Sequence, residues 1–220
     1  MKTEILSALL EARKARRPVA LVSDVKTGAQ RLVPAADAAS GSDLEKAFRF
    51  DKSALIGDEF VQIHNPPLRL VIIGAVLIAQ SVIPFAQAAG YDVTVIDPRG
   101  AFATGARFPD VALHADWPQD VLPKLGLDRR TAFITLTHDS KIDDLALEMA
   151  LKSDAFYIGA LGSRKTQATR LERLASQGFD DAARARVRGP IGLSIGAVGG
   201  PEIAISIMAE LTKALRLGLG

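Results

Sequence analysis

The stretch from Leu68 to Arg99 constrains the fold more than any other. Leu-Arg-Leu-Val-Ile-Ile runs into Gly74, an uncharged segment follows as far as Gly90, and Tyr-Asp-Val-Thr-Val-Ile then ends in Asp97. An unbroken β-branched run marks a strand buried on both faces. Two such runs around a helix-compatible segment predict a strand-helix-strand unit of a parallel sheet, the opening of a nucleotide-type α/β fold. Asp97 stands 23 positions after Gly74, about where an acidic residue closing the second strand meets a ribose hydroxyl. The glycine pattern is incomplete, because Gly-x-Gly-x-x-Gly is represented here by Gly74, Val76 and Ala79. A β-branched side chain at the second position crowds the approach of a pyrophosphate to the backbone.

Leu70 to Tyr91 carries no charge and is long enough to span a bilayer. It also contains Gln80, Ser81, Pro84 and Gln87 and runs directly into a second strand pattern, so a buried strand and helix are expected and no membrane segment. With 220 residues and 48% hydrophobic content, the chain can bury a sizeable core. A net charge of +2 is too balanced for a dedicated nucleic-acid binder. The charge is uneven, however: Arg164 to Arg188 holds seven Lys/Arg against three Asp/Glu, which suits an anionic ligand or partner. The absence of cysteine excludes disulfides, thiolate metal sites and a nucleophilic thiol, so any sulfur chemistry draws on another protein's sulfur. Met1 to Arg17 carries Glu4 and Glu11 and has no signal-peptide core, so a cytoplasmic location is expected.

Before the central unit, the pattern predicts a helix from Thr3 to Arg17 ended by Pro18, and strands at Val19 to Val25 and Arg31 to Val33 joined as a hairpin through Lys26-Thr27-Gly28. Ser42-Asp-Leu-Glu45 is a capping box opening a helix to about Phe50, and Glu59 to His64 is a further strand. The rigid Asn65-Pro66-Pro67 break sets the expected division into a small α+β unit, residues 1–65, and a main domain, residues 66–220. In the main domain, strands are expected at Val111 to Leu113, Thr131 to Thr137 and Ala155 to Gly159. Helices are expected at Pro118 to Leu125, from the Asp139 turn to about Lys152, and at Thr166 to Gln177, Asp180 to Val187 and Pro201 to Leu215, with a glycine-punctuated loop at Gly189 to Ala197.

Ligands of an open parallel sheet bind at the carboxyl ends of its strands, so the candidate site gathers the residues that follow them. Gly74 and Ala75 form the first turn. Asp97 is placed either on a ribose-like polyhydroxyl group or in a turn-capping pair with Arg99. Thr137, His138, Asp139 and Lys141 form a polar cluster after a buried strand, in which His138 can exchange a proton near neutral pH; alternatively Asp139 or Ser140 caps the next helix and His138 merely packs. Asp143 and Asp144 suit the first turn of that helix. Gly159, Gly162, Ser163 and Arg164, with Lys165, read as an anion cradle or as an ordinary strand-to-helix connection with a basic face. No histidine–carboxylate spacing points to a metal, and neither a Walker loop nor a Gly-x-Ser-x-Gly elbow is present.

Six stretches carry a resemblance: Val-Ile-Asp-Pro-Arg (95–99), Arg-Phe-Pro (107–109), Leu-Thr-His-Asp-Ser-Lys-Ile-Asp-Asp (136–144), Tyr-Ile-Gly-Ala-Leu-Gly-Ser-Arg-Lys (157–165), Pro-Ile-Gly-Leu-Ser-Ile-Gly-Ala (190–197) and Pro-Glu-Ile-Ala (201–204). In this order they closely resemble the XdhC/CoxI family over residues 68–215. The resemblance implies a Rossmann-like parallel sheet with flanking helices, binding molybdenum cofactor (molybdopterin). It further implies an accessory chaperone rather than a turnover enzyme, one that assists sulfuration with a cysteine desulfurase and delivers the cofactor to a xanthine-dehydrogenase-type molybdoenzyme. Family members usually have Gly-Ala-Gly-His-Val-Ala where this chain has Gly-Ala-Val-Leu-Ile-Ala at 74–79, and many carry a cysteine-containing amino-terminal domain that residues 1–65 do not match. Two other readings stand beside the carrier: an NAD(P)-dependent oxidoreductase, motivated by Gly74 and Asp97, and a docking scaffold that binds no cofactor. A homodimer follows from base rate alone.

Overall fold

The computed structural model describes residues 2–218. The chain divides into two compact units, Met1–Pro66 and Pro67–Gly220. In the first, helix α1 (Thr3–Lys14) precedes the strands β1 (Val19–Asp24) and β2 (Gln30–Pro34), and helix α2 (Asp43–Phe50) precedes β3 (Ala54–Ile56) and β4 (Glu59–His64). The strands form an antiparallel sheet in the order β2-β1-β4-β3. The hairpin turn is held by the Asp24 carboxylate, which accepts from the amides of Lys26 and Thr27 at 2.9 and 2.7 Å. Ser42 caps α2 as its sequence predicts, accepting from the Glu45 amide at 3.1 Å, while the Glu45 carboxylate reaches back to the amide of Gly41. Strand β3 was not expected from the pattern. It has three residues on a sheet edge, with Leu55 exposed, too few to show an alternation.

The second unit contains β5 (Leu68–Ile73), α3 (Leu77–Ala88), β6 (Tyr91–Ile96), β7 (Ala112–His114), α4 (Pro118–Leu125), β8 (Thr131–Thr135), α5 (Ser140–Leu151), β9 (Tyr157–Ala160), α6 (Arg164–Ser176), α7 (Asp181–Ala185), β10 (Val187–Arg188) and α8 (Gly200–Leu217). Its six strands are parallel and lie in the order β10-β9-β8-β5-β6-β7. Counted from β5, this is the 3-2-1-4-5-6 order of a Rossmann fold, whose ligand crevice opens where strand order reverses, between β5 and β8.

Strand β5 shows why its sequence has no polar alternation. Leu70 and Ile72 enter a core with Val82, Ile207 and Leu211 of α3 and α8, while Val71 and Ile73 enter a core on the opposite face with Leu147 and Leu174 of α5 and α6. Helices cover both faces, so each position from Leu70 to Ile73 is buried. The uncharged stretch thus divides into a strand and a 12-residue helix. Among the described residues no helix is long and apolar enough to cross a membrane. One element differs from expectation: Val187, read from the sequence as the end of a helix, forms with Arg188 the sixth strand, in register with Ile158 and Gly159. A two-residue strand carries no period of its own, and its pairing to β9 is purely tertiary.

Ile72 is fully buried at the centre of this sheet. Ile72→Ala is expected to cost about 2–5 kcal/mol, read as a lower denaturation midpoint at unchanged denaturant slope.

Candidate functional site

The reversal of strand order brings the ends of β5 and β8 into contact. Gly74 follows β5 with φ +114°, and a Cβ there would lie 2.9 Å from Thr137 Cγ2 and 3.2 Å from the Thr137 amide nitrogen. Glycine is required at this point for the approach of one strand end to the other. The next residue, Ala75, is buried, and its amide donates to Asp97 Oδ2 at 2.8 Å. Val76 is the N-cap residue of α3 and provides no side-chain cap, and Leu77 is 75% exposed at the helix start.

Asp97 has no exposed surface. Besides Ala75, its carboxylate accepts from the Arg99 amide at 3.0 Å, from Arg99 Nε at 2.9 Å and from Arg99 Nη2 at 2.7 Å. Of the two roles open to Asp97 in the sequence, the structure shows the turn-capping pair with Arg99. Burial alone would raise its pKa; the guanidinium and the two amides outweigh burial and hold it below the ordinary value of 3.8. The reach of Asp97 toward a ligand is therefore through Arg99, which is partly exposed, and through the turn that it fixes. Arg99 also feels the charges of Asp139 and Asp143, so the ends of β6 and β8 share one electrostatic environment.

After β8, the Thr137 hydroxyl donates to Asp143 Oδ1 at 2.7 Å and accepts from the Asp139 amide at 3.0 Å. His138 between them adopts a left-handed conformation, φ +63°, and is exposed. Asp139 caps α5, accepting from the Lys141 amide at 3.0 Å, and Lys141 is exposed. The polar cluster is thus a tight turn in which Thr137 is buried and His138, Asp139 and Lys141 are exposed.

Glycines 159 and 162 play different parts. A Cβ on Gly159 would meet the Tyr157 ring at 2.6 Å and Ile191 at 2.7 Å, so this glycine makes room inside the fold. Gly162, φ +145°, faces Thr166 at the start of α6. Ser163 caps that helix by accepting from the Thr166 amide at 3.1 Å, and Arg164 and Lys165 project exposed from its first turn.

Sequence reasoning missed two features. Phe102, 44% exposed, has the guanidiniums of Arg99 and Arg107 4.6 and 5.8 Å from its ring centre, and the loop that carries it is tied to α3 by a bond from Gln80 to the Arg107 carbonyl. Arg170 of α6 is buried, although its helix reads as a basic surface. Among the described residues no group of three His, Cys, Asp or Glu could hold a metal ion. The edge offers guanidinium, ammonium, imidazole and backbone N–H donors, a set suited to a ligand with anionic and hydrogen-bonding edges.

The strand order defines a Rossmann-type domain with polar donors at the carboxyl edge of its sheet. The XdhC Rossmann domain matches residues 70–211, and the chain belongs to that family. It is 31% identical over 149 residues to the molybdenum cofactor insertion chaperone PaoD of Escherichia coli, covering 68% of this chain and 41% of that one. It is 32% identical over 158 residues to a probable xanthine dehydrogenase subunit of Bacillus subtilis, covering 70% and 45%. The chain spans less than half the length of these two curated relatives. A crystal structure of a xanthine dehydrogenase from Bacillus halodurans superposes with a TM-score of 0.72 at 26% identity, over 97% of this chain and 64% of that one. The nicotinamide alternative gains no support, since Val76 stands at the close-approach position and the Asp97 carboxylate is engaged within the protein.

The depressed pKa of Asp97 has a stability consequence. The folded state favours the carboxylate, so its contribution is complete above the ordinary value of 3.8 and is lost as pH falls through the lower folded value. Asp97→Asn is expected to cost about 1–3 kcal/mol at neutral pH and to flatten the acid limb of the stability profile, measured by denaturant unfolding between about pH 2 and 5. An unchanged acid limb would contradict the pairing.

Proposed function

We propose that this chain is a molybdenum cofactor carrier that holds the cofactor at the carboxyl edge of its sheet for insertion into a xanthine-dehydrogenase-type molybdoenzyme. The observation that carries the reading is the convergence of Arg99, the His138 turn and the basic start of α6 on the edge of a domain of the XdhC family, one of whose relatives is named as an insertion chaperone. The residues suit the group. Molybdopterin presents a phosphate and a pterin with several hydrogen-bonding edges. Ser163 takes the Thr166 amide, and the amides of Arg164 and Lys165 ahead of it have no intrahelical acceptor. With two cationic side chains beside them, they form the natural seat of the phosphate. His138, Arg99 and the Gly74-Ala75 turn would then meet the pterin. The chain has no cysteine, so the sulfur for sulfuration comes from a cysteine desulfurase, and the role of this protein is to hold and protect the acceptor.

A second reading, a docking scaffold without cofactor, is favoured by Val76 and the exposed Leu77 at the start of α3. One experiment separates the two. Purified protein is equilibrated with molybdenum cofactor freshly released from a donor, and bound molybdenum and pterin are counted per chain after filtration. The carrier retains both near one per chain. Arg164→Ala and His138→Ala each reduce retention about tenfold, the order expected for one charge-assisted hydrogen bond. No retention by folded protein would overturn the carrier reading in favour of the scaffold.

A further inference from the structure

The glycine-punctuated segment 189–197 has no part in the site described so far, yet it leaves the carboxyl end of β10 and begins against the start of α6. A Cβ on Gly189 would fall 2.2 Å from Oε1 of Gln167, in the first turn of that helix. The Ile191 amide donates to the Ala160 carbonyl at 3.2 Å, at the end of β9 and two residues before Gly162. The base of the loop is therefore beside the seat formed by Ser163, Arg164 and Lys165.

Beyond Ile191 the loop is held by α8. Glu210 Oε2 accepts two hydrogen bonds at once, from the Gly192 amide at 2.7 Å and from the Tyr157 hydroxyl at 2.5 Å. The Leu193 amide donates to the Ser206 carbonyl at 3.1 Å, and Gly192, φ +95°, would set a Cβ 2.3 Å from Ser206 Oγ. At the far end the Glu202 carboxylate accepts from the Val198 amide at 2.8 Å. Between these anchors the amides of Ser194, Ile195, Gly196 and Ala197 have no acceptor among the described residues, and residues 194–196 are exposed.

Packing alone does not require this chemistry. Tyr157 is 1% exposed, and its ring fills the space that Gly159 leaves; a phenylalanine would fill it equally well. A buried hydroxyl must find a partner, and this one finds the carboxylate that also grips the loop. Burial and the adjacent Glu210 charge push the hydroxyl above its ordinary value of 10.0, so it stays a donor. One oxygen bonded to both a strand residue and a loop amide fixes the loop against the sheet directly.

We infer that Glu210 and Tyr157 are positioning residues that hold the 189–197 loop beside the start of α6, so that its unpaired amides join the donors of the ligand edge. The identity of the ligand, an anion rich in acceptor oxygens, rests on the carrier reading above; the hold on the loop does not.

The test begins with amide exchange and amide resonances of the full chain without ligand. Glu210→Met keeps the side-chain length and removes the acceptor; exchange at Gly192 is expected to rise about tenfold and the 194–197 amides to shift. Glu210→Gln retains an acceptor oxygen and is expected to restore the pattern of the unaltered chain. Tyr157→Phe keeps the ring, removes one of the two bonds and shifts the same loop amides; it decides the matter should Glu210→Met fail to fold. Folded variants with a lower melting temperature and unchanged loop amides would overturn the hold. Titration of the unaltered chain with inorganic phosphate is expected to move the Arg164 amide and the 194–197 amides together; loop amides that stay still would overturn the loop as part of the edge. In the filtration experiment, Glu210→Met lowers cofactor retention about tenfold and Glu210→Gln restores it, with His138, Arg99 and Arg164 all present. If unaltered protein retains no cofactor, the carrier reading fails, while exchange and the phosphate titration still decide the role of the loop.

Discussion

A carboxylate with no exposed surface must be satisfied from within the protein, and Asp97 is satisfied by donors from two strand ends at once: the Ala75 amide after β5, and the amide and guanidinium of Arg99 after β6. The first turn of the sheet depends on this interaction. It orients the backbone that leads into α3, and it neutralises Arg99 enough to let a guanidinium sit over the sheet edge while keeping one side of it open. Gly74 completes the arrangement on the other flank, where only the absence of a side chain allows β5 to end against Thr137. From there the Thr137 hydroxyl passes the same logic to Asp143. Buried acids hold turns, and the turns hold exposed bases.

This division of labour explains which parts of the molecule could be read from its sequence. The β5-α3-β6 unit and β8 were legible because burial on both faces forces an unbroken apolar run, and α2 because Ser42 and Glu45 supply a cap whose geometry is local. Strands β3 and β10 were not legible, since three and two residues contain no period and their pairing is decided by distant chain. At the site, the residues were legible as a set and their roles were not. Asp97 stands where a ribose-binding acid stands, and only the positions of Arg99 and Ala75 show that the carboxylate is already engaged. Gly159 reads as a cradle glycine, yet the groups that crowd it belong to Tyr157 and Ile191. Arg170 is one of several basic residues along α6, and nothing in the spacing distinguishes the buried one from its exposed neighbours.

The departure from the usual glycine pattern takes on a physical meaning in this geometry. Val76 sits at the N-cap of α3, where a close-approach turn presents bare backbone, with no hydroxyl or carboxylate to cap the helix, and Leu77 beside it presents an exposed apolar side chain. The first turn of α3 is thus poorly suited to a pyrophosphate. The start of α6 has the opposite character: a serine cap, a glycine before it and two exposed cations after it. Within one fold, the features that favour an anion stand at the helix after the fifth strand and are missing from the helix after the first.

This placement sets what the edge must do mechanically. When a phosphate binds on the first helix, the glycine turn that receives it directly follows the central strand β5. On the carrier reading the anion seat is at the start of α6, after β9, three strands from the Asp97-Arg99 turn after β6, and a ligand spanning both is gripped well only if the intervening β8 and β5 turns keep their register with the two. Thr137 and Asp143 lie on that intervening segment, with Arg170 on the helix beyond it. There the Thr137 hydroxyl, donated to the Asp143 carboxylate, fixes the direction of the β8 turn, which an apolar contact of equal volume would not do.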